Sequence, residues 1–180
     1  MKTTKGKVTW VDIADPTAAD IEALKKIHGF HPIILDELLQ ISARSRVEAY
    51  DDYLFLTYHL PLYDPTERSS LRGEIDFLIT KHTVITVRYG GIEPLDAFEK
   101  ALEGNAALRE RALGTDTLLL TYHILQHLIA FSLRQLRHIE ENISGISKEI
   151  FKRREQGLLE RISYVKRDVL DYRLISKPQG

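Results

Sequence analysis

Side chains alternate between Val8 and Ile13, with Val8, Trp10 and Asp12 facing one way and Thr9, Val11 and Ile13 the other, which predicts a strand. Asp15, Pro16 and Thr17 carry helix-start chemistry, with Thr17 to Asp20 set as a capping box, and the helix they open runs to the neighbourhood of Ile27 before Gly29. His31 and Pro32 start a second helix. Its apolar face is Ile33, Ile34, Leu35, Leu38 and Leu39, while the adjacent carboxylates Asp36 and Glu37 fall on its outer side. From Arg46 to Tyr63, aromatic and apolar residues such as Tyr53, Phe55, Tyr58 and Leu60 predict one long strand, closed by the polar turn from Asp64 to Ser70. Two further strands, Glu74 to Thr80 and Thr83 to Tyr89, meet at Lys81 and His82 as a hairpin. Gly90 and Gly91 break the pattern, and Pro94 opens a helix ending near Leu102. The first half therefore reads as α+β, a mixed β-sheet flanked by helices.

The period changes after Gly114. From Thr115 to Arg154 there is no proline and Gly145 is the sole glycine, which predicts a very long helix. At 1.5 Å per residue, about 40 residues span roughly 60 Å, beyond the diameter of a small domain. Leu136, Ile139, Ile143, Ile146 and Ile150 step by threes and fours, as an interhelical seam requires. The chain turns around Glu155 to Gly157, and Ile162, Val165, Val169 and Tyr172 repeat the spacing on a second helix, giving a long antiparallel helical hairpin. Residues 1–114 form the expected α/β core and 115–180 the long helices. The end at Pro178, Gln179 and Gly180 lacks a closing element and suggests a cut within a larger protein.

Composition narrows the function classes. The chain has 180 residues with 25 Lys and Arg against 26 Asp and Glu, so it lacks the cationic excess of a nucleic-acid binder. It has no cysteine, which removes disulfides, thiolate nucleophiles and Cys-ligated zinc. Residues 1–7 are polar and do not resemble a secretory signal. The apolar stretch from Asp116 to Leu133 is interrupted by His123, Gln126 and His127 and does not read as a membrane span.

No nucleophile with a neighbouring base and no phosphate-binding glycine loop is present, so an enzyme is not expected. Asp36 and Glu37 could hold a hard cation such as Mg²⁺, which takes one or two carboxylates and keeps its waters; against this, helix dipoles favour carboxylates in first turns without any metal. His123 and His127, four apart on a helix, could share a metal, yet the glutamate and third ligand of a zinc-protease pattern are missing. Arg44, Arg46, Glu48, Asp51 and Asp52 read as a solvated sheet edge. Between Asp12 and Asp52 the acids Asp12, Asp15, Asp20, Glu22, Asp36, Glu37, Glu48, Asp51 and Asp52 outnumber Lys25, Lys26, Arg44 and Arg46. Such a surface repels its own copy in an oligomer unless cations intervene.

The collinear series TWVDIADP, HGFHPIILDELL, RVEAYDDYLFL, FLITKHTVITVR and the long helix resembles the amino-terminal cytoplasmic domain of the CorA family of divalent-cation transporters. The likeness covers residues 7–178 and is most specific from His31 to Phe55. It implies an α/β/α sandwich followed by helices leading to a stalk and two membrane spans, in a pentamer around a pore on whose cytoplasmic side the sandwich lies. The family's Gly-Met-Asn signature is absent from this chain, which on this resemblance would sense the cation rather than conduct it. The resemblance also implies that Asp36 and Glu37 help bind regulatory Mg²⁺, or Co²⁺, between neighbouring subunits. The Asp-Glu order here reverses the common Glu-Asp, and a further acidic position of some members falls near the neutral Gln126. A zinc-transporting relative, slightly favoured by His123 and His127, and a soluble coiled-coil scaffold are the alternatives.

Overall fold

The computed structural model describes residues 1–151 and 157–177. Its elements run β1 (Lys2–Lys5), β2 (Thr9–Ala14), α1 (Ala18–Ile27), α2 (Pro32–Glu37), β3 (Arg46–Ala49), β4 (Tyr53–Asp64), β5 (Ser69–Thr80), β6 (Thr83–Arg88), α3 (Glu93–Gly104), α4 (Ala106–Leu113), α5 (Thr117–Phe151) and α6 (Leu158–Ser176). Among the described residues the strands make one six-stranded sheet in the order β1-β2-β6-β5-β4-β3. β2 and β6 run parallel, with Trp10 beside Val84 and Asp12 beside Thr86, whereas β1–β2, β3–β4 and β5–β6 pair antiparallel. The mixed sheet with flanking helices is thus as the sequence pattern implies. The described residues divide into two compact units, Met1–Tyr58 with Glu74–Leu128, and His59–Gly73 with 129–151 and 157–177.

In the first unit, one face of the sheet packs under α1 and α2. Ile13, Phe55, Leu78, Ile85 and Val87 from the strands meet Ile21, Leu24, Ile34 and Leu35 from the helices, with Leu38 at the end of α2, in one buried cluster. The capping box is present: the Thr17 hydroxyl accepts from Asp20 N while Asp20 accepts from Thr17 N at 3.0 Å. On the opposite face Trp10 tilts against Phe98 of α3 at 5.4 Å between centroids, and Leu102, Leu120 and Ile124 are fully buried. Period-two alternation in β2 separates the faces, sending Trp10 and Asp12 toward α3 and Ile13 toward α1 and α2.

Three local details differ from the sequence pattern. Arg46 to Tyr63 is a hairpin rather than one strand: the chain turns through Tyr50, Asp51 and Asp52, and Tyr50 N donates to Tyr53 O at 2.9 Å. The polar edge strand β1 and the short helix α4 carry no apolar periodicity and leave no signal. Asp12 is not part of an acidic surface, because it is only 7% exposed and its carboxylate accepts from Thr86 at 2.7 Å and from Arg88 Nε at 3.0 Å.

In the second unit, α5 and α6 are antiparallel neighbours: Arg161 pairs with Glu149, and farther along α6 the Tyr172 hydroxyl donates to Ser132 O at 2.9 Å. The seam is only partly closed. Ile139 and Ile146 are buried, but Ile143, Ile150, Ile162 and Val169 remain 38–51% exposed. Asp168 is the single buried residue of α6 among those described, and it accepts from the Ser70 hydroxyl at 2.7 Å. Glu155 and Gln156 of the expected turn, and the terminal Pro178 to Gly180, lie outside the described residues. No helix of the described residues is long and apolar enough to cross a membrane.

Candidate functional site

Helix α2 is set by a specific N-terminus. The His31 ring accepts from Ile33 N at 3.3 Å, Pro32 occupies the first turn, and His31 N donates to the Tyr53 hydroxyl at 3.0 Å. The Tyr53 ring stacks on Tyr50 at 4.5 Å and 3°, and Tyr50 lies 6.1 Å from the His31 ring, so α2 is pinned to the β3–β4 hairpin by aromatic contact. Ile34 and Leu35 are buried beneath it, which turns Asp36 and Glu37 outward.

The two carboxylates then diverge. Asp36 is exposed and has no side-chain partner among the described residues. Glu37 is bound by Arg46, whose Nε also donates to Glu48 at 2.6 Å and whose guanidinium lies 5.1 Å from the Phe55 ring centroid. The Tyr50 hydroxyl donates to Glu48 at 2.8 Å; that bond, with Arg46, holds the Glu48 carboxyl below the usual range despite burial. Glu48 in turn pushes the Tyr50 phenol up to about 12. The expected solvated edge is therefore an ordered ion-pair and hydrogen-bond network at Arg46, and the sequence pattern concealed that Arg46 neutralises Glu37.

As a cation site, this arrangement supplies one free carboxylate per chain. Asp36 fits the sparse protein ligation that Mg²⁺ accepts while keeping its waters. Glu37 fits only if it leaves Arg46. No group of three or more His, Asp or Glu side chains able to hold a metal occurs among the described residues.

His123 and His127 do share a face of α5, but each has another engagement. His127 Nδ1 lies 3.0 Å from the His123 carbonyl, and its ring packs on Phe98 at 4.6 Å. His123 lies edge-on to Tyr122 at 5.6 Å, and burial, aided by Arg111 and His127, lowers its pKa.

Two other acids were missed. Glu74 and Asp76 are each 1% exposed. Glu74 accepts from Ser42 N at 2.8 and 3.0 Å; Asp76 accepts from the Thr57 hydroxyl at 2.7 Å and the Tyr89 hydroxyl at 3.0 Å. Burial, reinforced by Glu74, raises the Asp76 pKa to about 6 although both hydroxyls oppose it. The signal was available in GEIDFL, where period two puts Glu74 and Asp76 on the same face as core Leu78.

The family model described as CorA-like Mg²⁺ transporter protein matches residues 5–180. The chain belongs to the CorA family. A curated relative, the cobalt/magnesium transport protein CorA of Thermotoga maritima, is 23% identical over 168 residues, 92% of this chain and 46% of that protein. The complete CorA magnesium transporter structure from Methanocaldococcus jannaschii superposes with a TM-score of 0.76 at 17% identity, covering 97% of this chain and 54% of the other. The ZntB cytoplasmic domain from Vibrio parahaemolyticus superposes at 0.62 with 16% identity, covering 94% and 68%. These structural likenesses bear on the fold, which is that of the CorA soluble domain. The chain spans about half the length of the full transporters it matches.

Proposed function

We propose that this chain is the cytoplasmic, cation-sensing part of a magnesium and cobalt transporter, not an enzyme. It would act within a pentamer whose membrane spans are not among these residues, with 1–114 as the α/β core and 115–180 as helices leading toward the membrane. The observation that carries this reading is the CorA family match over residues 5–180, joined at the sequence level to a cobalt/magnesium transport protein. The zinc reading gains no comparable support, since the ZntB likeness concerns the fold and His123 and His127 are occupied in packing.

Within that reading, Asp36 is the regulatory carboxylate, and Glu37 joins it only by exchanging Arg46. Exposed Asp36 side chains on facing subunits repel one another, and a hydrated divalent cation supplies the neutralising charge. Internal Mg²⁺ thereby shifts the population toward the assembly in which these faces are close and the pore is closed. The test uses the full-length protein in membranes, with limited proteolysis across a Mg²⁺ series. Asp36→Lys is expected to weaken Mg²⁺ protection while leaving the isolated chain's Tm unchanged. Unchanged protection overturns the assignment of Asp36, and absence of Mg²⁺- or Co²⁺-dependent uptake by the parent protein overturns the transporter reading itself.

A further inference from the structure

The β4–β5 turn, α5 and α6 enclose a solvent-open cavity of about 270 Å³ within the second unit. We propose that it binds a small organic anion, a phosphate or carboxylate head on a short apolar body, independently of any cation on Asp36. The volume is at the small end of ligand pockets and suits a head group with one ring.

Arg68 and Arg161 stand in its wall. The Arg68 guanidinium lies 4.9 Å from the Tyr164 ring centroid and has no carboxylate partner among the described residues. Arg161 is anchored by Glu149, and Arg167 lies 5.7 Å from the same Tyr164 ring. The acid of the lining is Asp168, 3% exposed and bonded to Ser70, while Glu149 is taken up by Arg161, and Asp64 and Glu67 precede Arg68 on the same turn. Arg68 therefore stands in the wall as a guanidinium without an ion pair among the described residues, together with the anchored Arg161 and beside Ile146 and Val165, the apolar part of the lining. A guanidinium offers a planar fork of donors to phosphate or carboxylate oxygens.

The backbone gives a second, independent observation. Arg68 has φ 51°, in the left-handed region. Such a conformation costs a non-glycine residue on the order of 1 kcal/mol and persists only where its surroundings impose it. Here Asp64 accepts from Thr66 N at 2.7 Å and from Glu67 N at 3.3 Å, while Arg167 donates to Glu67 O, so the turn is tied on both sides. Glycine would meet that φ without strain. What arginine adds is a guanidinium at the cavity wall.

The experiment is isothermal titration of the 180-residue chain with phenyl phosphate, benzoate and inorganic phosphate at fixed ionic strength. Saturable one-to-one binding of phenyl phosphate or benzoate, tighter than inorganic phosphate, is expected, and the tighter of the two names the head group. Arg68→Gly relieves the backbone strain and keeps the fold by circular dichroism and Tm, yet should weaken binding about tenfold or more. Arg161→Gln should weaken it similarly, and the exposed Arg44→Gln should not. The proposal is overturned if none of the anions saturates, if Arg68→Gly binds as well as the parent, or if Arg44→Gln costs as much as Arg68→Gly.

Discussion

Replacing Asp76 by asparagine should stabilise this protein at neutral pH, although it removes a buried, doubly hydrogen-bonded carboxylate. Burial, helped by the neighbouring Glu74 charge and opposed by Thr57, Tyr89 and Arg46, raises the Asp76 pKa from 3.8 to about 6 on folding. Below the lower value both states are protonated and the folded state carries no charge penalty. As pH rises from 3.8 to about 6 the unfolded chain releases its proton while the folded one keeps it, so stability falls through that window. Above it the ionised group costs the gap of about two pKa units, or about 3 kcal/mol, undiscounted for solvent because the side chain is almost wholly buried. Asparagine mimics the protonated acid. Its NH₂ can donate to the Tyr89 oxygen, whose own proton then turns to the Leu38 carbonyl at 3.2 Å, while its carbonyl still accepts from Thr57. Urea unfolding of parent and Asp76→Asn should agree near about pH 3, below both pKa values, and diverge by about 1–3 kcal/mol in the variant's favour by pH 7. A gap independent of pH, or a variant less stable at pH 7, would refute the reasoning.

Two further outcomes follow from contacts in the first unit. Arg88 bridges buried Asp12 and Asp96, so Arg88→Leu should cost about 3–5 kcal/mol in denaturant unfolding by leaving Asp12 charged and without its ion partner; a loss below about 1 kcal/mol would mean Asp12 is satisfied by Thr86 alone. Gly6 lies against Leu113, where an added Cβ would come within 2.6 Å of Leu113 Cβ and 2.9 Å of its carbonyl oxygen. Gly6→Ala should therefore destabilise by about 1–3 kcal/mol in the same assay, and an unchanged midpoint would show that the β1–β2 turn shifts freely.

Amino-acid order alone determined much of this protein. The Thr17 capping box, the His31-Pro32 start of α2, the β5–β6 hairpin and the glycine-poor run through α5 are local signals, set by hydrogen-bonding side chains, fixed φ angles and periodicity within a few residues. The outward placement of Asp36 and Glu37 followed from the same helical period, and the collinear motifs pointed to the CorA family. What only the tertiary structure decided involves partners distant in sequence. Parallel pairing of β2 with β6 joins Asp12 to Arg88 across the sheet and takes an expected surface acid into the core. Arg46 reaches back to Glu37, so that two adjacent carboxylates with identical sequence signals end with different chemistry, one free and one neutralised. Ser42 and Tyr89 likewise come to Glu74 and Asp76 from other elements, and burial beside them sets a pKa that no local pattern encodes. Periodicity says which face a side chain occupies; the charge it can keep there depends on which remote groups the fold brings to it.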